Sequence, residues 1–194
     1  LHEAQRELAA SVAAFTDLGE AGALRAAIAR CSLGMTHFQL KRLAESQSEF
    51  DAALAVLEQG DDPWWAAVCH GWTGMIALAR GDRDVADKEI GAALATFTRI
   101  GNRWGIGMYS ATAAELRLAS GDVRGADRLA AGAAAMLEDV GFDHALMSAY
   151  HLRGRIARLS GKEGEARTMF DRAADIGRRL GHRSDDEHRE PVTR

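Results

Sequence analysis

Proline, tyrosine and cysteine are each present only twice in this chain of 194 residues. Because proline breaks helices and alanine favours them, an alanine-rich chain with so little proline favours helix over sheet. No run of about 18 apolar residues occurs, so the sequence predicts no membrane-spanning helix. Two cysteines in apolar helical segments do not make a disulfide framework and favour a reducing, cytoplasmic setting.

A strong positive charge is also lacking, since the formal net charge is −4 at pH 7. This balance excludes nucleic-acid binding that is driven by bulk electrostatics. Charged residues make up 27% and hydrophobic residues 47% of the chain. Those shares are typical of a globular protein with a sizeable core.

Glycine recurs every twenty residues from position 81 onwards. The series is Gly81, Gly101, Gly121, Gly141, Gly161 and Gly181. Glycine readily adopts the left-handed conformation that follows the last turn of a helix, so the series predicts helices of roughly 16 to 18 residues joined by tight turns. Asp82, Asn102 and Asp122 follow three of these glycines and are predicted N-caps. Lys41 replaces a glycine and predicts a less regular turn.

Columns of matching residues recur every forty positions. Small residues form one column at Gly34, Gly74, Ala114 and Gly154, and a second column holds Phe50, Ile90, Ala130 and Phe170. The small column predicts close approach of two helix backbones. The period predicts an all-α, right-handed superhelical solenoid of antiparallel helix pairs with about nine helices. We expect one domain over 1–182, with a lone helix at 3–18, pairs at 22–60, 63–100, 103–140 and 143–181, and a polar, disordered tail at 183–194.

The pattern resembles the tetratricopeptide repeat (TPR) over about residues 24–182. The segments "LGMTHFQLKRLAESQSEFDAAL" and "RGRIARLSGKEGEARTMFDRAA" match it best. The chain departs from the usual TPR in its spacing of forty rather than 34 residues, and in the missing proline after the second helix. The longer repeat is similar to repeats in bacterial signal-transduction ATPases and transcription regulators, which implies a scaffold or sensor role.

The resemblance implies a concave groove lined by the first helix of each pair. The predicted ligand or peptide groove comprises Cys31, Met35, Phe38, Met75, Leu78, Met108, Glu115, Ser148, His151, Arg155 and Arg158. Arg155 and Arg158 could clamp a carboxylate or phosphate. Two alternatives stay open: the methionines could be core, and Glu115 could form an ordinary ion pair with Arg155.

Two further sets of apolar residues have a predicted role in packing or in binding. Met169, Ala173 and Ile176 are predicted to form an uncovered face on the last helix, and we expect it to support self-association as a homodimer. We also expect the intact protein to continue upstream. The tryptophans are Trp64, Trp65, Trp72 and Trp104, and they either cover the seams between successive helices or form the aromatic rim of a binding site.

No residue constellation for catalysis is present, so we predict that the chain is not an enzyme and binds no cofactor. His144 and His151 share a helix face but lack further ligands for a metal. The predicted function is a scaffold for a protein or peptide partner, as the TPR region of a larger bacterial transcription regulator. The alternative is a small-ligand sensor domain with its effector in the groove. We expect a cytoplasmic protein that binds neither nucleic acid nor membrane.

Overall fold

The computed structural model describes residues 1–60 and 62–181, and this part of the chain contains nine α-helices and no strand. The helices are α1 (His2–Asp17), α2 (Ala23–Gln39), α3 (Leu43–Leu57), α4 (Pro63–Arg80), α5 (Arg83–Arg99), α6 (Arg103–Ala119), α7 (Val123–Asp139), α8 (Asp143–Leu159) and α9 (Glu163–Arg179). A short 3-10 turn, Gly19–Gly22, precedes α2. The predicted all-α fold is confirmed. The predicted disordered tail lies outside the described residues.

The chain divides into two compact units. The N-terminal unit, Leu1–Gly105, contains α1 to α5 and the start of α6, and the C-terminal unit begins at Ile106. The main buried cluster of the N-terminal unit is Ala27, Cys31, Phe50, Ala53, Leu57, Cys69 and Ile76. A buried cluster of the C-terminal unit contains Ala134, Leu137, Leu146, Ala149, Tyr150, Met169, Ala173 and Ile176. Each unit therefore has an apolar core of its own.

Six of the turns between helices contain one left-handed residue each: Lys41, Gly81, Gly101, Gly121, Gly141 and Gly161. Gly81 has a φ of 86°, and its N–H donates to the carbonyl of Leu78. Lys41 adopts the same left-handed conformation with a φ of 62°, and its N–H donates to the carbonyl of Phe38. The prediction of a less regular turn at Lys41 is therefore wrong. A residue with a side chain can enter this region at a cost of roughly 1–2 kcal/mol, which the surrounding helices offset.

The predicted N-caps are confirmed at two of three positions. Asp122 accepts a hydrogen bond from the N–H of Gly125 at 2.8 Å, and Asn102 accepts one from the N–H of Gly105 at 2.8 Å. Asp82 occupies the cap position of α5, but its side chain makes no capping hydrogen bond. The position after the turn thus starts a helix in all three cases, while side-chain capping holds for two.

The helices of a pair approach closely where the column of small residues faces the second column, which contains Phe50, Ile90, Ala130 and Phe170. A methyl group on Gly34 would lie 2.9 Å from the Phe50 ring, and one on Gly154 would lie 2.6 Å from the Phe170 ring. Such distances are shorter than van der Waals contact, so only glycine fits opposite a large side chain. In the third pair both positions are alanine: Ala114 and Ala130 are fully buried in one cluster. The two columns therefore complement each other in size.

We predict that Gly74→Ala destabilises the N-terminal unit. The new methyl group would lie 2.7 Å from Cγ1 of Ile90 and 3.1 Å from its backbone nitrogen. Overpacking costs about 1–3 kcal/mol, which exceeds the gain of up to about 1 kcal/mol in helix propensity. Urea unfolding followed by tryptophan fluorescence measures the change, since all four tryptophans lie in this unit.

The matched control is Gly91→Ala, because Gly91 lies in the adjacent helix α5 and has no neighbouring atom within 4 Å of the added carbon. This variant should be more stable than the wild type by about 0.5–1 kcal/mol. Equal stabilisation by both substitutions would show that the helices do not approach closely at Gly74.

Candidate functional site

The predicted groove residues of the N-terminal unit lie largely against its core. Cys31 is fully buried, and its side chain is therefore not available to a ligand. Met35 and Phe38 are half-buried and pack against the main cluster, and Met75 and Leu78 are half-buried as well. The prediction that Cys31 lines the groove is therefore wrong, because α4 packs over that position of α2. The half-buried side chains could therefore contact a ligand with only part of their surface.

The two cysteines meet inside this core. Their Sγ atoms are 3.3 Å apart, so one thiol donates a weak hydrogen bond to the other. Both side chains are fully buried, Cys31 on α2 and Cys69 on α4. The hydrogen bond with Cys31, together with burial, raises the pKa of the Cys69 thiol well above its usual range. The Cys69 thiol is therefore neutral at physiological pH.

The tryptophans form aromatic contacts in the N-terminal unit. Trp72 stacks on Phe50 with ring centroids 6.0 Å apart, and it contacts Phe38 edge-on at 5.3 Å. Trp104 stacks on Trp64 at 5.6 Å and contacts Phe97 edge-on at 6.0 Å. Trp72 and Trp104 thus each pack on an aromatic ring of the preceding helix. The interpretation that they cover seams between helices is confirmed for these two.

Four predicted groove residues of the C-terminal unit share one exposed face of α8. They are Ser148, His151, Arg155 and Arg158, and we call this set the α8 face. The spacings of three and four residues place the side chains along the same side of the helix. Arg155 lies 3.6 Å from the carboxylate of Glu115 on α6, which confirms the predicted pair. Met108 on α6 is half-buried.

A single aromatic ring supports two members of the α8 face. The Arg158 guanidinium lies over the ring of Phe170, 4.8 Å from its centroid, and the His151 ring is 6.0 Å from the same centroid. Phe170 reaches this position because Gly154 leaves room for its ring against α8. A cation over an aromatic face is stabilised by about 0.5–1 kcal/mol at an exposed site. The close helix approach thus orients the basic side chains.

The electrostatics of the α8 face depend on Glu115. Its side chain is 45% exposed and that of Arg155 is 60% exposed. Partial burial raises the pKa of the Glu115 carboxyl, and the neighbouring Arg155 guanidinium lowers it by a smaller amount. An ion pair this open is worth 0 to about 1 kcal/mol, so an incoming anion could displace Glu115 from Arg155.

The predicted self-association face is not open. Met169, Ala173 and Ile176 are buried in a cluster of the C-terminal unit, together with residues of α7 and α8 such as Leu137 and Tyr150. The prediction that these three side chains are uncovered is therefore wrong. Their helical spacing correctly indicated an apolar face, but that face packs onto the preceding helices of the same unit. They are unavailable for a contact with a second copy.

A polar bridge that was not predicted from the sequence recurs in two helix pairs. Arg30 on α2 donates to Glu49 on α3 at 2.8 Å. Nδ1 of His70 on α4 lies 2.7 Å from Glu89 on α5, forty residues further along at both positions. The forty-residue spacing was the available signal. A cavity of about 440 Å³ includes Arg30 and Glu49 in its lining, and one of about 340 Å³ includes His70.

Within residues 1–60 and 62–181, no group of three or more His, Cys, Asp or Glu side chains could hold a metal ion. His144 and His151, which the sequence places on one face, are both exposed on α8. No helix in the same ranges is long and apolar enough to cross a lipid bilayer.

Comparison with known proteins identifies similar solved structures. BtubC (BKLC) from P. vanneervenii has 16% identity and a TM-score of 0.64, covering 87% of this chain and 70% of its own. A Podosopora anserina protein described as a kinesin light chain with nearly identical TPR-like repeats has 15% identity and a TM-score of 0.62. The match covers 94% of this chain and 89% of that protein. The MamA protein has 14% identity and a TM-score of 0.54, covering 100% of both chains.

No protein-family model matches the chain, and no curated protein sequence matches it. At 14–16% identity the structural likeness concerns the fold alone. The forty-residue columns, the pairs of antiparallel helices and these neighbours agree on one architecture. The chain has the fold of TPR-like helical repeat proteins.

Proposed function

We propose that this chain is a protein- or peptide-binding scaffold whose α8 face binds an acidic segment of its partner. The observation that carries this proposal is the exposed row of Ser148, His151, Arg155 and Arg158 on one side of α8. Two arginines one turn apart can each bind one of two carboxylates that have the same spacing on a helical or extended segment.

The same repeat positions have another role in α2. There they hold Cys31, Met35 and Phe38, which are buried or half-buried against neighbouring helices. In α8 these positions hold His151, Arg155 and Arg158, which are exposed. A position that serves packing in one repeat and carries exposed cations in another is available for recognition.

The geometry of the two arginines favours an anionic ligand. Arg158 is held over Phe170, and Arg155 is held beside Glu115, so both guanidinium groups are partly ordered before binding. Ordering before binding lowers the entropy cost of association. Guanidinium groups donate paired hydrogen bonds to carboxylates, and these bonds are stronger than neutral ones. An acidic, amphipathic segment is therefore the partner chemistry that we propose.

We further propose that the scaffold belongs to a larger bacterial regulator. The support for this setting is the forty-residue repeat without the usual proline, which is similar to the repeats of such regulators. In that setting the α8 face would bind a protein that adjusts the activity of the regulator.

Fluorescence anisotropy with defined peptides tests the proposal. One alanine-based, labelled peptide carries glutamates three residues apart, and matched peptides carry glutamine or lysine at those positions. We expect the glutamate peptide to bind most tightly and its affinity to fall with added salt. Arg155→Gln and Arg158→Gln should each weaken binding about 5–10-fold.

Arg167→Gln is the matched control, because Arg167 is an exposed arginine on α9 and lies outside the α8 face. It removes the same charge and should change the affinity less than twofold. The proposal fails if the lysine peptide binds as well as the glutamate peptide, or if Arg167→Gln weakens binding as much as Arg155→Gln.

Glu115→Gln should strengthen binding at pH 7, because it releases Arg155 from its ion pair. The gain is at most about fivefold, the equivalent of an exposed pair worth up to 1 kcal/mol. A peptide with cysteic acid in place of glutamate remains ionised at low pH. With this peptide the two proteins should become equal in affinity as the pH falls through the raised pKa of Glu115, since the wild-type carboxyl is neutral below it.

The two proteins are identical except at residue 115, so the difference in affinity between them isolates the Glu115 carboxyl. A difference that stayed constant down to pH 3 would contradict this role of the carboxylate.

A further inference from the structure

The two thiols of the N-terminal unit join helices of successive pairs. Cys31 lies on α2 and Cys69 on α4, and their Sγ atoms are 3.3 Å apart. Both are fully buried in the cluster that also contains Ala27, Phe50 and Ile76. These are the only cysteines of the chain, so neither has another partner within the molecule.

We propose that Cys31 and Cys69 form an intrachain disulfide when the protein meets a low-molecular-weight disulfide such as oxidised glutathione. In the first step one protein thiolate attacks a glutathione sulfur, which forms a mixed disulfide and releases one reduced glutathione. In the second step the other protein thiol, on losing its proton, displaces the second glutathione. In total, two protein thiols are oxidised and one glutathione disulfide is reduced to two thiols.

The contact between the two sulfurs permits this bond with only small movements. A disulfide joins its sulfurs at about 2.0 Å, so the two Sγ atoms need to approach by roughly 1.3 Å. Rotation of two short side chains can supply part of that movement, and small shifts of α2 and α4 the rest. The thiols already contact each other, so no side chain between them has to be displaced.

Burial controls the rate of the reaction. The thiolate is the attacking species, and the raised pKa of Cys69 keeps that thiol protonated in the folded unit. Glutathione disulfide also cannot reach a side chain with no exposed surface. Oxidation therefore requires local opening of the N-terminal unit, so we expect it to be slow in buffer and faster at urea concentrations below the unfolding midpoint.

The disulfide would tie α2 to α4 across the intervening helix α3. The loop that it closes spans residues 31–69 and excludes many conformations of the unfolded chain. We therefore expect the oxidised protein to melt about 5–10 °C higher than the reduced protein. Because α2 carries Met35 and Phe38 and α4 carries Met75, the bond would also restrict movement of these half-buried side chains.

The experiment incubates the full chain in glutathione redox buffers with low urea and measures its products by mass spectrometry after alkylation of free thiols. We expect the wild type to lose two hydrogens, to carry no glutathione and to yield one linked pair of peptides containing Cys31 and Cys69. Cys31→Ala and Cys69→Ala should stop at the mixed disulfide with glutathione. The higher melting temperature should be confined to the oxidised wild type and should disappear on reduction.

Two results would overturn the proposal. One is a wild type that gives only mixed disulfides or intermolecular dimers under conditions in which both single variants become glutathionylated, since the thiols would then be accessible but too far apart. The other is an oxidised wild type that melts below the reduced form, since the bond would then distort the core. The double variant Cys31→Ala, Cys69→Ala controls for effects of the buffer on stability.

Discussion

Close contact between the two helices of each pair is the constraint on which the rest of this structure depends. Three pairs combine glycine with a bulky residue: Gly34 with Phe50, Gly74 with Ile90, and Gly154 with Phe170. The remaining pair combines two buried alanines, Ala114 and Ala130. Because a side chain on any of these glycines would collide with its partner, the sum of the two residue sizes, rather than either size alone, sets the helix separation.

The same contact determines where the functional groups lie. The ring of Phe170 rests against α8 at Gly154, and from there it supports Arg158 and His151 on the exposed side of that helix. In the N-terminal unit the ring of Phe50 rests at Gly34 and stacks with Trp72 on the next helix. A packing contact inside one pair is thus extended into an exposed cationic surface in one unit and into an aromatic core in the other.

Contacts within a helix pair could be predicted from the sequence, because they depend on the helical period and on a constant spacing of 16 residues between partners such as Gly74 and Ile90. The left-handed conformation of Lys41 could not, since nothing local distinguishes a strained lysine from an irregular turn. Contacts between pairs also escaped prediction. The meeting of Cys31 and Cys69, and the burial of Met169, depend on the angle at which neighbouring helices pack, and hydrophobic periodicity carries no information on that angle.

The most direct test of the size constraint transfers the glycine and isoleucine combination into the third pair, where alanine faces alanine. Urea unfolding followed by far-UV circular dichroism compares Ala130→Ile with the double variant Ala114→Gly, Ala130→Ile. The account predicts that Ala130→Ile alone costs about 1–3 kcal/mol and that adding Ala114→Gly recovers most of the loss. If adding the glycine instead costs the further 1 kcal/mol or so expected from helix propensity alone, the two positions do not share one space and the account is contradicted.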